Sequence, residues 1–378
     1  MSVEIPITSA ETIVDNSEIP EKYRSRTVIN SKYIFEKKIG SGSFGSVYKG
    51  RNIISGDGVA IKFEATMAKL PTLLWESKIL NHLAGTPGVV KLRYFGTESN
   101  KNIIVMDLFS HTLCEEIQKL KTGNNINTNK NEKNSTESQE QINSDHEMAE
   151  RGTNSSNEVD KQKTDELSSV HDENRDAVDS LDIIVKKMPP YTKEVVGYLI
   201  KMLQIISRVH EAGIVHRDIK PENFMICFPT ADQIDKEVGE KTLYIIDFGL
   251  SKFYKKGDKH VINTHDRTIV GTMRYISTHI HDGDVYSRRD DIISIIYVSI
   301  YLLKGTLPWC GLYPKKGDTR TKEELVYDKK IKTTSDELCD GLPNLFKKLL
   351  DYSYSLDFDD KPDYLYMIRQ CKLLMRAL

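Results

Sequence analysis

An α+β chain in two lobes is what the sequence predicts: a small β-rich N-terminal lobe with one main helix, then a larger, mostly helical C-terminal lobe. Three observations carry this expectation. Ile34, Phe35, Ile39, Val47, Tyr48, Val59, Ile61 and Phe63 recur in near alternation, separated by Gly-containing turns such as Gly56-Asp57-Gly58, which is the period of half-buried strands. Val195, Leu199, Met202, Leu203, Ile206 and Val209 recur at helical spacing. Between the two patterns, from Ser110 to Pro190, there is no Phe, Tyr or Trp.

Taken in order, residues 1–32 read as a flexible, polar leader, and a single domain follows over 33–378. Its N-terminal lobe runs to about 109, with a helix near Thr72–Leu83 and two short strands near Val89–Gly96 and Asn102–Asp107. The C-terminal lobe takes about 110–378. Within it, 122–187 reads as a disordered acidic insert, because Asn, Ser, Thr, Asp, Glu, Lys and Gln cannot bury enough apolar area to offset the entropy of ordering. Residues 122–182 carry 15 acidic and 6 basic side chains, a balance of −9; the whole chain is at −2, which leaves +7 for the rest. A basic body with a separable acidic segment is compatible with acidic or phosphorylated partners and equally with ordinary solubilising charge.

The composition excludes several classes. The five cysteines are scattered and odd in number, with no C-x-x-C pair, so reduced thiols and a cytoplasmic or nuclear location are expected. The longest apolar run, Ile292–Leu303, is too short to span a bilayer, and no membrane insertion is expected. Nothing points to a nucleic-acid partner, and the ten histidines show no metal-binding spacing.

Five motifs carry chemistry. Gly40-Ser41-Gly42-Ser43-Phe44-Gly45-Ser46-Val47 is a glycine-rich loop whose backbone N–H groups can approach phosphates without an intervening Cβ. It continues as a strand rather than a helix, so a β-hairpin over the phosphates fits better than a dinucleotide-binding turn. Val59-Ala60-Ile61-Lys62 follows on the next strand, where Lys62 would reach nucleotide phosphates and Glu76, in the helix beyond, would hold it. In His216-Arg217-Asp218-Ile219-Lys220-Pro221-Glu222-Asn223-Phe224, Asp218 would orient a substrate hydroxyl and accept its proton. Lys220 would neutralise the transferring group, and Asn223 would ligate a magnesium ion. Leu243-Tyr244-Ile245-Ile246-Asp247-Phe248-Gly249 ends a strand in an aspartate that can present its carboxylate to the same metal. ATP and Mg²⁺ are the expected cofactors. Order and spacing together resemble the bilobal protein kinase fold, whose phosphoryl-transfer parts these are.

The C-terminal half narrows the resemblance. No Ala-Pro-Glu follows the activation segment. Instead the chain reads Gly271-Thr272-Met273-Arg274-Tyr275-Ile276-Ser277, then Ser287-Arg288-Arg289-Asp290-Asp291, Gly305-Thr306-Leu307-Pro308-Trp309, and Phe358-Asp359-Asp360-Lys361-Pro362-Asp363-Tyr364. With Asn223-Phe224, these motifs resemble the casein kinase I family of Ser/Thr protein kinases over about 33–120 and 188–378. The resemblance implies a monomer acting on acidic or phosphate-primed protein substrates, with no need for activation-loop phosphorylation. It implies Met106 as gatekeeper, backbone groups of Asp107 and Phe109 toward adenine, and Gly40, Gly42, Ser43, Gly45, Val47, Ala60, Lys62 and Asp247 as the remaining nucleotide contacts. It also implies a substrate anion site at Arg267, Arg274 and Lys322. The chain departs from the family in Ser277-Thr278-His279, in Ile296 and in the acidic insert. Two alternatives stay open: another kinase branch whose insert recruits a partner, and a non-catalytic kinase-fold scaffold.

Overall fold

The computed structural model describes residues 28–42, 45–67, 71–123, 188–227, 241–265 and 269–378. The expected leader up to residue 27, the glycine-loop tip Ser43-Phe44, the insert from 124 to 187 and Arg267 lie outside the described residues.

A six-stranded antiparallel sheet forms first. Its strands are β1 (Val28–Ile29), β2 (Tyr33–Gly42), β3 (Gly45–Asn52), β4 (Gly58–Ala65), β5 (Leu92–Glu98) and β6 (Lys101–Asp107), in the order β1-β2-β3-β4-β6-β5. The sheet begins earlier than the sequence pattern suggests. Val28 and Ile29 pair with Ile34 and Tyr33 across a tight turn in which Asn30 and Ser31 take positive φ, and Ile29 is buried. The two residues are apolar but too few to show a period, so they read as part of the leader. The predicted strand from Val89 starts at Leu92, with Val89 forming an isolated parallel bridge to Ile245.

The alternation of Val59, Ile61 and Phe63 on β4 turns these residues into a core with Ile29, Tyr33, Ile103, Val105 and Tyr94. The opposite phase, Ala60, Lys62 and Glu64, therefore shares the other face. Helix α1 (Leu73–His82) lies between β4 and β5 in the chain. Its N-cap Thr72 gives no side-chain cap; instead buried Glu64 accepts hydrogen bonds from the N–H groups of Thr72 (2.7 Å) and Leu73 (3.2 Å). A strand carboxylate thus fixes the start of the helix that carries Glu76.

The chain continues through β7 (His111–Thr112), a helix α2 over 113–123, α3 (Thr192–Glu211) and β8 (Ile214–Val215). Helix α2 runs two residues into the segment read as insert. The six periodic residues of α3 are all fully buried. Then come a 3₁₀ turn (Pro221–Asn223), β9 (Phe224–Cys227), β10 (Thr242–Ile245), a second 3₁₀ turn (Phe248–Leu250), β11 (Lys252–Phe253), β12 (Lys255–Lys256) and β13 (Lys259–His260). Strands β10, β9 and β7 form one small sheet, and β11 pairs with β8.

The remainder is helical: α4 (Thr278–His281), α5 (Arg288–Lys304), α6 (Lys322–Lys332), α7 (Ser335–Cys339), α8 (Asn344–Tyr354) and α9 (Tyr364–Ala377). Helix α5 is buried on nearly every side, as its apolar run predicts, and ends at Gly305, whose φ of 79° few residues besides glycine adopt. Two compact units result: residues up to Thr112 with Ile205–Ile262, and Leu113–Gln204 with Asn263–Leu378.

In the second unit the two sequence signatures near its end prove to be one contact. Arg288 donates to the Asp359 carbonyl (2.5 Å) and Arg289 to the Leu356 carbonyl (3.0 Å), with Arg289 also on Asp284 (2.9 Å). The R-R-D-D arginines thereby hold the turn that opens the F-D-D-K-P-D-Y segment. The Gly271–Ser277 segment is secured in the same unit. Buried Lys330 donates to the carbonyls of Met273 (2.8 Å) and Ile276 (2.5 Å), beneath the rings of Tyr297 and Trp309. The Trp309 indole donates to the Arg274 carbonyl (2.8 Å). Burial pushes the Lys330 ammonium well below its usual range.

Candidate active site

The sheet presents one catalytic group directly. Val47 lies opposite Lys62 on β3 and β4, and Ala60 lies opposite Met106 on β6. Directly opposed residues of an antiparallel pair point to the same side. Val47, Ala60, Lys62 and Met106 therefore line one face, as expected of groups meant to cover a nucleotide. Gly40 and Gly42 close the hairpin above them, opposite Val47 and Gly45.

Gly45 sits at φ +135°, and a Cβ there would stand 2.0 Å from the Phe63 carbonyl oxygen. Gly45→Ala is therefore expected to prise β3 from β4. It should lower stability by about 1–3 kcal/mol and raise the ATP concentration needed for half-maximal rate. Thermal unfolding and a nucleotide titration check both effects.

Lys62 is nearly buried, and its ammonium contacts two carboxylates: Glu76 Oε2 at 2.9 Å and Asp247 Oδ1 at 3.0 Å. Burial works to lower its pKa, but the charges of Glu76 and Asp247 more than reverse this, and the ammonium is held above its ordinary range. Burial pushes the Glu76 carboxyl up against the pull of Lys62. For Asp247 burial also pushes the carboxyl up, but Lys62, together with His216 and Lys220, more than offsets this and holds it below the usual range. Glu76 also accepts from the Phe248 N–H (3.2 Å), so helix α1 grips both the lysine and the backbone just past Asp247.

The catalytic loop lies between β8 and β9. Lys220 Nζ donates to Asp218 Oδ2 at 2.5 Å, and Asn223 Nδ2 donates to the same oxygen at 3.2 Å and to the Asp218 carbonyl at 2.9 Å. The carboxylate is thus oriented by both residues expected to share its loop. His216 is fully buried; its Nδ1 faces the Asp218 N–H (3.3 Å), so its Nε2 carries the proton and donates to the Ile246 carbonyl (3.0 Å). That bond joins the catalytic loop to the strand that delivers Asp247, as does the Ile246 N–H to the Asn223 carbonyl (2.9 Å).

Arg217 and Asp247 both take left-handed backbone, with φ of 72° and 65°. Each non-glycine residue there costs about 1–2 kcal/mol, a strain that recurs at functional sites. No sequence signal predicts it beyond the neighbouring motif.

The remaining expected residues fall as follows. Asp107 turns its side chain to Arg93 (2.6 Å), and the Phe109 ring stacks on Tyr244 with centroids 4.8 Å apart. In the other unit, the half-buried Arg274 guanidinium lies 5.0 Å over the Tyr301 ring, and exposed Lys322 lies 4.6 Å over Tyr313. Each has its own aromatic partner. His279 and His281 belong to α4; burial lowers the pKa of His281 to about 3.

Residues 33–150 and 159–364 match the family model described as "Protein kinase domain". The chain belongs to the protein kinase family. The antiparallel-sheet N-lobe and helical C-lobe are those of the bilobal kinase fold, as the sequence predicts. The chain is also similar to Casein kinase I homolog 2 of Schizosaccharomyces pombe (strain 972 / ATCC 24843), at 30% identity over 353 residues, 93% of this chain and 64% of that protein. It thus spans less than two thirds of that relative's length. The resemblance read from the downstream motifs agrees with this comparison.

Kinases of this fold use ATP and a divalent cation in general. The residues present fit both: Lys62 and Lys220 would offer cations to phosphate oxygens, and Asp247 and Asn223 would offer the hard oxygen donors that magnesium takes. Among the described residues no cluster of three His, Cys, Asp or Glu side chains could hold a metal ion.

Proposed function

We propose that the chain is an ATP-dependent Ser/Thr protein kinase of casein kinase I type, acting as a monomer on acidic or phosphate-primed proteins in the cytoplasm or nucleus. The observation that carries this reading is the intact linkage of Lys62, Glu76 and Asp247 beside an Asp218 oriented by Lys220 and Asn223. A non-catalytic scaffold has no need to retain these six charged or amide groups in two bonded clusters.

The roles follow from chemistry. Asp218 receives the hydroxyl of the substrate Ser or Thr and accepts its proton as the oxygen attacks phosphorus. Lys220 faces the charge of the transferring group. Lys62, kept cationic by two carboxylates, would hold the nucleotide phosphates, and Asp247 with Asn223 would hold the magnesium ion. When bound, that ion neutralises charge on the phosphate oxygens. Arg274 and Lys322, with Arg267, supply cations for an acidic or phosphorylated segment of the substrate.

Transfer of label from radiolabelled ATP to an acidic peptide, with and without a priming phosphoserine, tests the proposal. Phosphorylation of serine, enhanced by the priming group, is expected. Absence of transfer, with Asp218→Asn indistinguishable from the parent, would sink it.

A further inference from the structure

Trp75, one of only two tryptophans, has no part in the chemistry above. It precedes Glu76 on α1, so the two side chains leave the helix about 100° apart. Glu76 turns inward to Lys62, while Trp75 turns to the chain that follows Asp247. Its indole N–H donates to the Ser251 carbonyl at 2.7 Å, and its ring packs edge-on against Phe253 with centroids 6.2 Å apart. His82 stands seven residues, two turns, further along the same stripe of the helix. Its ring packs on Phe253 at 5.0 Å, also edge-on, and its Nε2 lies 2.9 Å from the Ala212 carbonyl.

Phe253 is therefore held between two side chains of α1, each ring plane at 83° to its own. The Ser251 hydroxyl meanwhile donates to the His216 carbonyl (3.3 Å), and β11 pairs Phe253 with Ile214. Between Asp247 and Phe253 the backbone is tied to α1 at Phe248 through Glu76 and at Ser251 through Trp75. A rotation of α1 that withdrew Glu76 from Lys62 would have to break the indole bond and pull two rings off Phe253.

We propose that Trp75 is a positioning residue: its indole ties the segment leaving Asp247 to the helix bearing Glu76, so that Lys62, Glu76 and Asp247 stay assembled without modification of that segment. The proposal rests on the phosphotransfer reading. It adds the device that keeps the metal-binding carboxylate and the lysine's partner in register. The substitution Trp75→Phe keeps a ring and removes only the N–H; Trp75→Leu removes both.

The test uses the full chain. A hydrogen bond of ordinary net strength corresponds to about five-fold in the population of the assembled state, and loss of the aromatic contact adds about as much. Trp75→Leu is expected to lower kcat by about ten-fold or more and to raise the Mg²⁺ concentration for half-maximal rate. Its KM for peptide should stay within about two-fold of the parent, since peptide contacts are untouched. Trp75→Phe should fall between the two. Hydrogen exchange at the Phe248 amide should accelerate in the same order, and this readout needs no catalysis.

Unchanged Phe248 protection together with an unchanged Mg²⁺ requirement in Trp75→Leu overturns the proposal. If Trp75→Leu does not fold, Trp75→Phe and Phe253→Leu carry the same two readouts and decide it. A parent that transfers no phosphate overturns the functional reading instead, and the exchange measurement then decides the clamp alone.

Discussion

Asp218→Asn is expected to lower kcat by about 10²–10⁴-fold, the range a positioned general base contributes, while leaving ATP affinity nearly unchanged. The substitution is close to isosteric. Lys220 can still reach the side-chain oxygen, and the Asn223 bond to the residue-218 carbonyl does not involve the side chain at all. The loop should therefore keep its shape. What is lost is the negative charge that, in the proposed role, would orient the hydroxyl and take its proton. In the proposed roles ATP binding would rely on Lys62 and Asp247, which Asp218 does not contact through any bond described above. Single-turnover transfer to peptide and equilibrium nucleotide binding separate the two effects. A transfer rate within ten-fold of the parent would remove Asp218 from the role of base.

That the contacts around Asp218 were visible in the sequence at all reflects how a short loop confines its side chains. Asp218, Lys220 and Asn223 must meet over a few ångströms, so they lie within six residues, and a local pattern is enough to find them. Lys62 and Asp247 were legible for another reason: each has a fixed place relative to a strand, one on the phase of β4 opposite Val59 and Ile61 and one just past β10. The helical half was legible because deeply buried helices such as α5 announce themselves as apolar runs.

The supporting contacts were not legible, and the reason is physical. Glu64 caps α1 from a strand, Trp75 reaches a carbonyl 176 residues away, and Arg288 and Arg289 take carbonyls about 70 residues on. A backbone carbonyl has no sequence identity, so a side chain that seeks one leaves no partner motif to match. The left-handed backbone at Arg217 and Asp247 is hidden likewise: arginine gives no hint of a positive φ, and aspartate, though enriched there, adopts it in only a minority of its positions. The two downstream signatures could be read as markers of kinship, but the fact that they touch each other could not.

Glu76 yields the second large effect. Its carboxylate, 1% exposed, faces Lys62, itself 10% exposed on its side chain, so the pair is desolvated. Removing one partner of a buried pair typically costs about 3–5 kcal/mol, because the survivor is left charged without compensation. Glu76→Leu should approach that figure. Lys62 would keep only Asp247, and the Phe248 N–H would lose its acceptor. Lys62→Met should cost a comparable amount, since it strands Glu76 and Asp247 beside each other. The double substitution Lys62→Met with Glu76→Leu puts two apolar side chains where two charges stood, and buried pairs replaced in this way are often neutral or stabilising. It is therefore expected to recover most of the stability lost in either single variant while remaining as inactive as Lys62→Met. Chemical denaturation of the four proteins in a double-mutant cycle, paired with transfer assays, measures both quantities. A double variant less stable than either single one would mean that the pair is chiefly a structural element. Recovery of stability without activity would mean that the chain retains two buried charges because nucleotide phosphates need a fixed cation there, and that the energy of keeping Lys62 dehydrated is borne for catalysis rather than for folding.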